Sequence, residues 1–371
     1  MRVLVVNAGS SSLKLRLLGG DDALLAGFDL PAIRGRADEA ALAVALSSLP
    51  PPDAIGHRVV HGGTTYRAAA RLDAGVLRDL TTLSDLAPLH QPPALEAQAV
   101  VARALPGLPE VACFDTAFHS TLPAAASTYA LPRAWRERWP LRRFGFHGLS
   151  HAYAARRASQ LLGRPDEDLQ IVTCHLGAGA SLCAVSGGRS IDTTMGFTPL
   201  EGLVMATRSG SVDPGLLLWL LEHGRMEIGA LATGLEHESG LLGLAGTSDM
   251  REVVTRATNG DSHATLALDM YTHRLRAGVA AMAVSLDRLD ALAFTGGVGE
   301  HAPAIRAMTA AGLGLLGITL DAGRNAASST DEDIGAPGAG VRTLVVTARE
   351  DLEIARQVRA LLDGSPSTAD A

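Results

Sequence analysis

A short β-branched run at residues 3–6 breaks into Asn7-Ala8-Gly9-Ser10-Ser11-Ser12, and the chain then resumes as Leu13-Lys14-Leu15-Arg16-Leu17. Apolar and basic residues alternate there with the two-residue period of a strand. The start therefore reads as a β-hairpin with hydroxyls and backbone N–H groups at its tip. About 165 residues later the pattern returns. The apolar run Gln170–Leu176 turns at Gly177-Ala178-Gly179 and resumes over 181–186. The repetition predicts two similar halves, each presenting a polar hairpin turn suited to phosphate. A P-loop is excluded, because no GxxxxGK[ST] stands between a strand and a helix.

Between and after the hairpins, strands and helices alternate. Strands are expected at 54–61, Glu110–Phe114, Ala291–Thr295 and 343–347. Helices are expected at 37–49, 76–86, 93–105, 150–162 with Ser150 as N-cap, from about 300 to 316 with Pro303 in the first turn, and Glu350–Leu362. That alternation is the α/β pattern. The chain has 371 residues, 47% of them hydrophobic, which is enough for two domains with sizeable cores. The net charge of −7 argues against a nucleic-acid partner or a polybasic membrane contact. Cys113, Cys174 and Cys183 have no CxxC spacing and fit buried thiols in a reducing cytoplasm. The first residues run straight into a strand rather than a signal peptide, and apolar runs such as 216–221 are too short to span a bilayer. Residues 364–371 read as a disordered tail.

Six segments are too polar for ordinary strand ends: 7–14, 56–63, 114–119, 144–151, 175–181 and 195–210. Together they offer Gly-rich turns, paired arginines, histidines and carboxylates. Phosphoryl transfer needs that inventory: N–H groups for phosphate, cations on the transferring group, oxygen ligands for Mg²⁺ and a residue to orient the acceptor. One composition fact sharpens this. Among 32 basic residues Lys14 is the only lysine, so the hairpin keeps a compact ammonium where the rest of the chain uses arginine.

The motifs VNAGSSSLKL, GHRVVHGG, FDTAFH, GFHGLSH, HLGAGAS, DTTMGFTPLEGL, TRSG and FTGGVGE, in this order, resemble those of the acetate kinase family, within the acetate/sugar kinase, Hsp70 and actin superfamily. The resemblance spans residues 3 to 356. It implies an α/β fold of two ribonuclease-H-like domains of the acetate kinase/actin type with an interdomain cleft. The division implied is 1–117 plus 352–371 for one domain and 118–351 for the other. It also implies a cytoplasmic homodimer acting on a small carboxylate and a nucleotide, with ATP and ADP as co-substrates and Mg²⁺, or Mn²⁺ in its place, as the metal.

Residue by residue, Arg58 and Arg208 resemble the arginines that hold the carboxylate or the transferring phosphoryl. His147 resembles the histidine that hydrogen-bonds it, and Asp115 the aspartate that orients the acceptor. Acetate is already ionised at neutral pH, which favours orientation over base catalysis. Asn7 and Glu350 match the metal ligands. Lys14, the turn of His175, Leu176, Gly177, Ala178 and Gly179, the stretch Asp249, Met250 and Arg251, and the motif Gly297, Val298, Gly299, Glu300 and His301 match the nucleotide side. Val60, Leu89, Phe146 and Pro199 match the acyl pocket. His90, His119 and His151 read as packing or supporting residues. The chain departs from the family at Ala178, Ala206, Ser211 and His301, and is shorter before Arg58 and near Thr247. The resemblance leaves a propionate kinase as the alternative, with a pyrophosphate-dependent or non-catalytic relative behind it. Both arginines are expected to lie open enough that replacing either leaves the fold intact.

Overall fold

The computed structural model describes residues 1–9, 12–33, 36–87 and 91–364. Ser10, Ser11, Leu89, His90 and all of the expected tail except Gly364 lie outside the described residues. The chain forms two compact units. The first is Met1–Thr121, Phe146–Tyr153 and Arg349–Ala371; the second is Leu122–Gly145 and Ala154–Ala348.

The first unit is built on a seven-stranded sheet of β1 (Val3–Ala8), β2 (Ser12–Leu18), β3 (Leu24–Ile33), β4 (Arg36–Ala37), β5 (Ala54–Val59), β6 (Ala70–Arg71) and β7 (Glu110–Phe114). Its order is β4-β3-β2-β1-β5-β7-β6. Strands β1, β2 and β3 pair antiparallel, while β1, β5 and β7 run parallel. Both faces of β1 are covered, which is why its sequence is uniformly apolar rather than alternating. Val3 and Val5 pack with Ile354, Ala355 and Val358 of the C-terminal helix Glu350–Leu362. Leu4 and Val6 pack with Leu42 and Leu46 of helix Glu39–Ser47 and Val101 of helix Gln91–Ala104.

The second unit carries β8 (Gln170–Leu176), β9 (Ala180–Ser186), β10 (Arg189–Thr193), β11 (Ala291–Thr295), β12 (Glu332–Asp333) and β13 (Arg342–Val345), in the order β10-β9-β8-β11-β13-β12. Here β8, β9 and β10 pair antiparallel, and β8, β11 and β13 run parallel. The sequence of pairings that starts from β1 is thus repeated from β8, which accounts for the repeated hairpin. Helix Ser262–Ala283 backs this sheet. Gly278 lets it lie close, since a Cβ there would come within 2.7 Å of Leu182 Cδ1.

Five of the six expected helices have different bounds: 37–49 forms as Glu39–Ser47 and 93–105 as Gln91–Ala104. The helix expected from Ser150 begins at Gly148 and runs to Leu162, so Ser150 lies in its first turn rather than capping it. The helix expected over 76–86 is Ala74–Thr82, capped by the Asp73 carboxylate, followed by a 3₁₀ turn Leu83–Leu86. The helix expected from about 300 to 316 is broken. Gly296–His301 forms one short helix, Ala302 leaves helical geometry, and Pro303–Ala311 forms another. Proline bars the residue before it from continuing the helix.

Candidate active site

In the first unit, β1, β5 and β7 run parallel, and their C-terminal ends bring Asn7, Arg58 and Asp115 together. Open α/β sheets offer ligand sites at such ends. The Arg58 guanidinium straddles the Asp115 carboxylate, Nε donating at 3.1 and 3.2 Å and Nη2 at 2.5 Å. Its Nη1 donates to Asn7 Oδ1 at 3.2 Å. Glu350, the first residue of the C-terminal helix, accepts from Asn7 Nδ2 at 2.8 Å and lies 3.9 Å from Arg58 Nε. The Asp115 side chain is 1% exposed and that of Arg58 15%. Burial works against the Arg58 cation, but Asp115 and Glu350 outweigh it and hold the guanidinium protonated. Burial also pushes the Asp115 carboxyl above its ordinary value, Arg58 pulls against that shift, and the Glu350 charge adds to it. The expected openness of Arg58 is thus corrected: its guanidinium is committed to a buried carboxylate.

The segment 146–148 lies over the end of β7. Gly148 N–H donates to the Asp115 carbonyl at 2.8 Å, so close that a Cβ on Gly148 would stand 2.2 Å from that oxygen. Just before it, His147 takes a left-handed backbone, φ +57°, which non-glycine residues adopt at a cost of order 1–3 kcal/mol. Phe146 is buried, and its carbonyl is 3.0 Å from His119 Nε2. Val60 is buried one residue beyond β5. Next to it, His61 Nδ1 accepts from Gly63 N–H at 2.8 Å, and burial depresses the ring to about 4. The rings of His119 and His151 meet edge to face at 5.7 Å, a packing role for both, whereas His90 lies outside the described residues.

The second unit gathers the other segments at the ends of β8 and β11. His175 pairs with Thr295, and the turn after it closes with Gly177 N–H on the Gly179 carbonyl at 2.9 Å. Gly296, φ +78°, begins the neighbouring motif against the Leu176 backbone, where a Cβ would approach the Leu176 carbonyl oxygen at 2.8 Å. The loop bearing Arg208 joins them through Ala206 N–H, which donates to the Ala178 carbonyl at 3.1 Å. Arg208 Nη1 donates to the Pro199 carbonyl at 3.1 Å and lies 3.8 Å from Met205 Sδ. Burial lowers its affinity for its proton, and the Glu236 charge opposes that shift. Arg208 is thus a half-buried cation whose remaining N–H donors have no partner among the described residues.

Within Gly297–His301, Glu300 accepts the Ala348 N–H at 3.0 Å and His301 is exposed. Asp249 caps helix Met250–Thr258 and takes both forks of the exposed Arg251. Lys14 is exposed on β2 and pairs in register with Asn7. Leu89 lies outside the described residues.

Asn7 Oδ1 and the Glu350 carboxylate, one hydrogen bond apart, are hard oxygen donors that would suit a Mg²⁺ ion keeping several waters. No group of three or more His, Cys, Asp or Glu side chains that could hold a metal occurs among the described residues.

Three supports escaped the motifs. Buried Gln91 bonds the His61 amide at 3.2 Å and the His61 carbonyl at 3.1 Å. Arg306, fully buried, donates to the carbonyls of Gly299 at 2.8 Å and Glu300 at 2.7 Å, fixing the Gly297–His301 segment from behind. Tyr129 donates to Glu201 at 2.5 Å and accepts the Phe197 N–H at 2.9 Å, and Arg143 bonds the other Glu201 oxygen at 2.8 Å.

The acetokinase family profile matches residues 38–356. An acetate kinase of Synechococcus sp. (strain JA-2-3B'a(2-13)) is 50% identical over 311 residues, 84% of this chain and 77% of its own. One of Leifsonia xyli subsp. xyli is 47% identical over 386 residues, covering 96% and 97% of the two chains. Among solved structures, Porphyromonas gingivalis acetate kinase superposes with a TM-score of 0.89 at 34% identity, over 97% of this chain and 99% of that one. A propionate kinase from Francisella tularensis superposes at 0.87, also at 34% identity, over 96% and 98%.

Proposed function

The chain belongs to the acetokinase family, and from that premise we propose that it transfers a phosphoryl group reversibly between ATP and acetate, giving ADP and acetyl phosphate. It is a short-chain carboxylate kinase with ATP and ADP as co-substrates. What most supports the site reading is the Asn7–Arg58–Asp115–Glu350 cluster in one unit and the half-buried Arg208, with spare donors, in the other. Arg58 and Arg208 contact the carboxylate or the transferring phosphoryl, His147 hydrogen-bonds it, and Asp115 orients the acceptor. Asn7 and Glu350 hold Mg²⁺, or Mn²⁺ in its place, which when bound neutralises phosphate charge. Lys14, residues 175–179, 249–251 and 297–301 bind the nucleotide, and Val60, Leu89, Phe146 and Pro199 line the acyl site. The domain division implied by the resemblance, 1–117 plus 352–371 and 118–351, assigns Glu350 and residues 146–153 to the second domain, whereas the compact units hold both in the first.

The enzyme works as a homodimer in a reducing cytoplasm. Three buried thiols, none of them in a disulfide, support the compartment. An apolar face on helices Pro214–Glu222 and Ile228–His237, neither of which has a buried residue, supports the assembly. No helix among the described residues is long and apolar enough to cross a membrane. Propionate is the second acid, favoured by the Francisella structure, because one methylene in an apolar site is worth only about 1–3 kcal/mol. A coupled ADP-release assay with acetate, propionate and butyrate, each with ATP, GTP and pyrophosphate, tests the reading. Highest kcat/KM for acetate with ATP is expected. A clear preference for propionate or pyrophosphate replaces the named substrate, and no turnover with any pair refutes the kinase.

A further inference from the structure

An enzyme that makes an acyl phosphate releases a mixed anhydride, an acylating agent for any neutral amine or thiolate it meets. This chain offers such a reagent few targets. Cys113, Cys174 and Cys183 are fully buried, and burial pushes all three thiols up, so none presents a thiolate. Every basic residue except Lys14 is arginine, whose guanidinium stays protonated and is no nucleophile. The single side-chain amine stands at the catalytic hairpin. Lys14 is exposed, and its register partner across β1 and β2 is Asn7, so the two side chains share a face of the sheet. Asn7 in turn accepts from Arg58. The Asp29 carboxylate opposite Lys14 on β3 is bound by Arg16 at 2.5 Å.

From these placements we infer that Lys14 is the one side chain of this protein open to acylation by its own class of product, and that acylation there turns the enzyme down. The inference rests on the acyl-phosphate reading above. In the step, the lone pair of the neutral Lys14 Nζ adds to the acyl carbonyl carbon. The bond from that carbon to the bridging phosphate oxygen breaks, and inorganic phosphate leaves with the bonding pair. Nζ loses its proton to water. The product is an uncharged amide in place of an ammonium, so the hairpin loses its only lysine charge. The scarcity of lysine elsewhere keeps the rest of the surface inert to the same reagent.

The test exposes the purified full chain to added acetyl phosphate without nucleotide, then reads intact mass and peptide masses. The α-amine is an internal control for reagent potency. One side-chain acetyl group is expected, on Lys14. Activity should fall in proportion to the fraction modified, by about 10-fold or more at completion. Lys14→Arg should take no side-chain acetyl group and keep its own untreated rate after the same exposure. An unmodified Lys14, or full acetylation of Lys14 with unchanged activity, overturns the inference. Because the reagent is supplied, the mass result does not depend on turnover. Acyl phosphate formation by untreated protein, trapped with hydroxylamine, tests the kinase reading separately.

Discussion

Arg58 and Arg208 carry the same charge but stand in opposite relations to their surroundings, and the difference can be measured. Arg58 neutralises Asp115, which is 1% exposed, whereas Arg208 is bonded to one carbonyl and touches a thioether. Removing either should lower kcat by on the order of 10³-fold, as loss of a cation on a transferring phosphoryl does. Only Arg58→Ala should also destabilise the fold, by about 3–5 kcal/mol, because it strands a buried carboxylate. Urea midpoints and kcat for the two alanine variants check this. Equal stability losses would refute the contrast, and near-normal turnover in a folded variant would remove that arginine from the site. Polar strand ends drew attention to the segments that hold Asn7, Arg58, Asp115 and Arg208, whereas their roles, and Glu350 altogether, came from the family resemblance. Gln91 and Arg306 stayed hidden. Both act on backbone carbonyls and amides, and a side chain that holds backbone leaves no pattern of paired residue types.

At the level of elements, close approaches separate glycines that serve the site from those that serve packing. A Cβ on Gly148 would stand 2.2 Å from the Asp115 carbonyl oxygen and 2.9 Å from Phe118 Cβ. Gly148→Ala must therefore push the 146–148 segment off β7 and carry His147 away from Asp115. Gly278→Ala would press helix Ser262–Ala283 on two apolar side chains, Leu182, whose Cδ1 would lie at 2.7 Å, and Leu203, whose Cδ2 would lie at 3.3 Å. Each should lower stability by about 1–3 kcal/mol through overpacking. Only Gly148→Ala is expected to lower kcat, by 10-fold or more on the order of a small misplacement of catalytic groups. Melting temperature and kcat together decide it; an active Gly148→Ala protein would show that the approach is mere packing. Most strands of both sheets were readable from apolar runs and polar ends. Helix Ser262–Ala283 was not predicted, although Asp261 caps it and Leu268, Tyr271, Leu275, Val279 and Met282 recur with helical spacing. Its many alanines and scattered charges hid that stripe. The expected helix from about 300 left out 296–299 because glycine is a poor helix former, yet Gly296–His301 is helical.

For the whole molecule, the exposed apolar face of the second unit bears on assembly. Leu216, Leu218, Trp219 and Ile228 are 46%, 59%, 54% and 75% exposed, an unusual concentration for a free surface. Leu218→Glu with Trp219→Glu should convert the expected dimer to a monomer in light scattering, while leaving helical content unchanged. A dimer that survives both charges would place the interface elsewhere. The division of the first unit into separated stretches of chain has a consequence of another kind. Its sheet is complete by residue 114, yet the helix that covers Val3, Val5 and Ala54, and that supplies Glu350, is not translated until after residue 349. A ribosome adds residues far more slowly than helices and hairpins form. Through most of synthesis, then, one face of that sheet is left uncovered while the second unit is completed. The half of the protein that is made first is the half that must wait to be finished, and a nascent chain stalled before its last helix would carry Arg58 and Asp115 without Glu350.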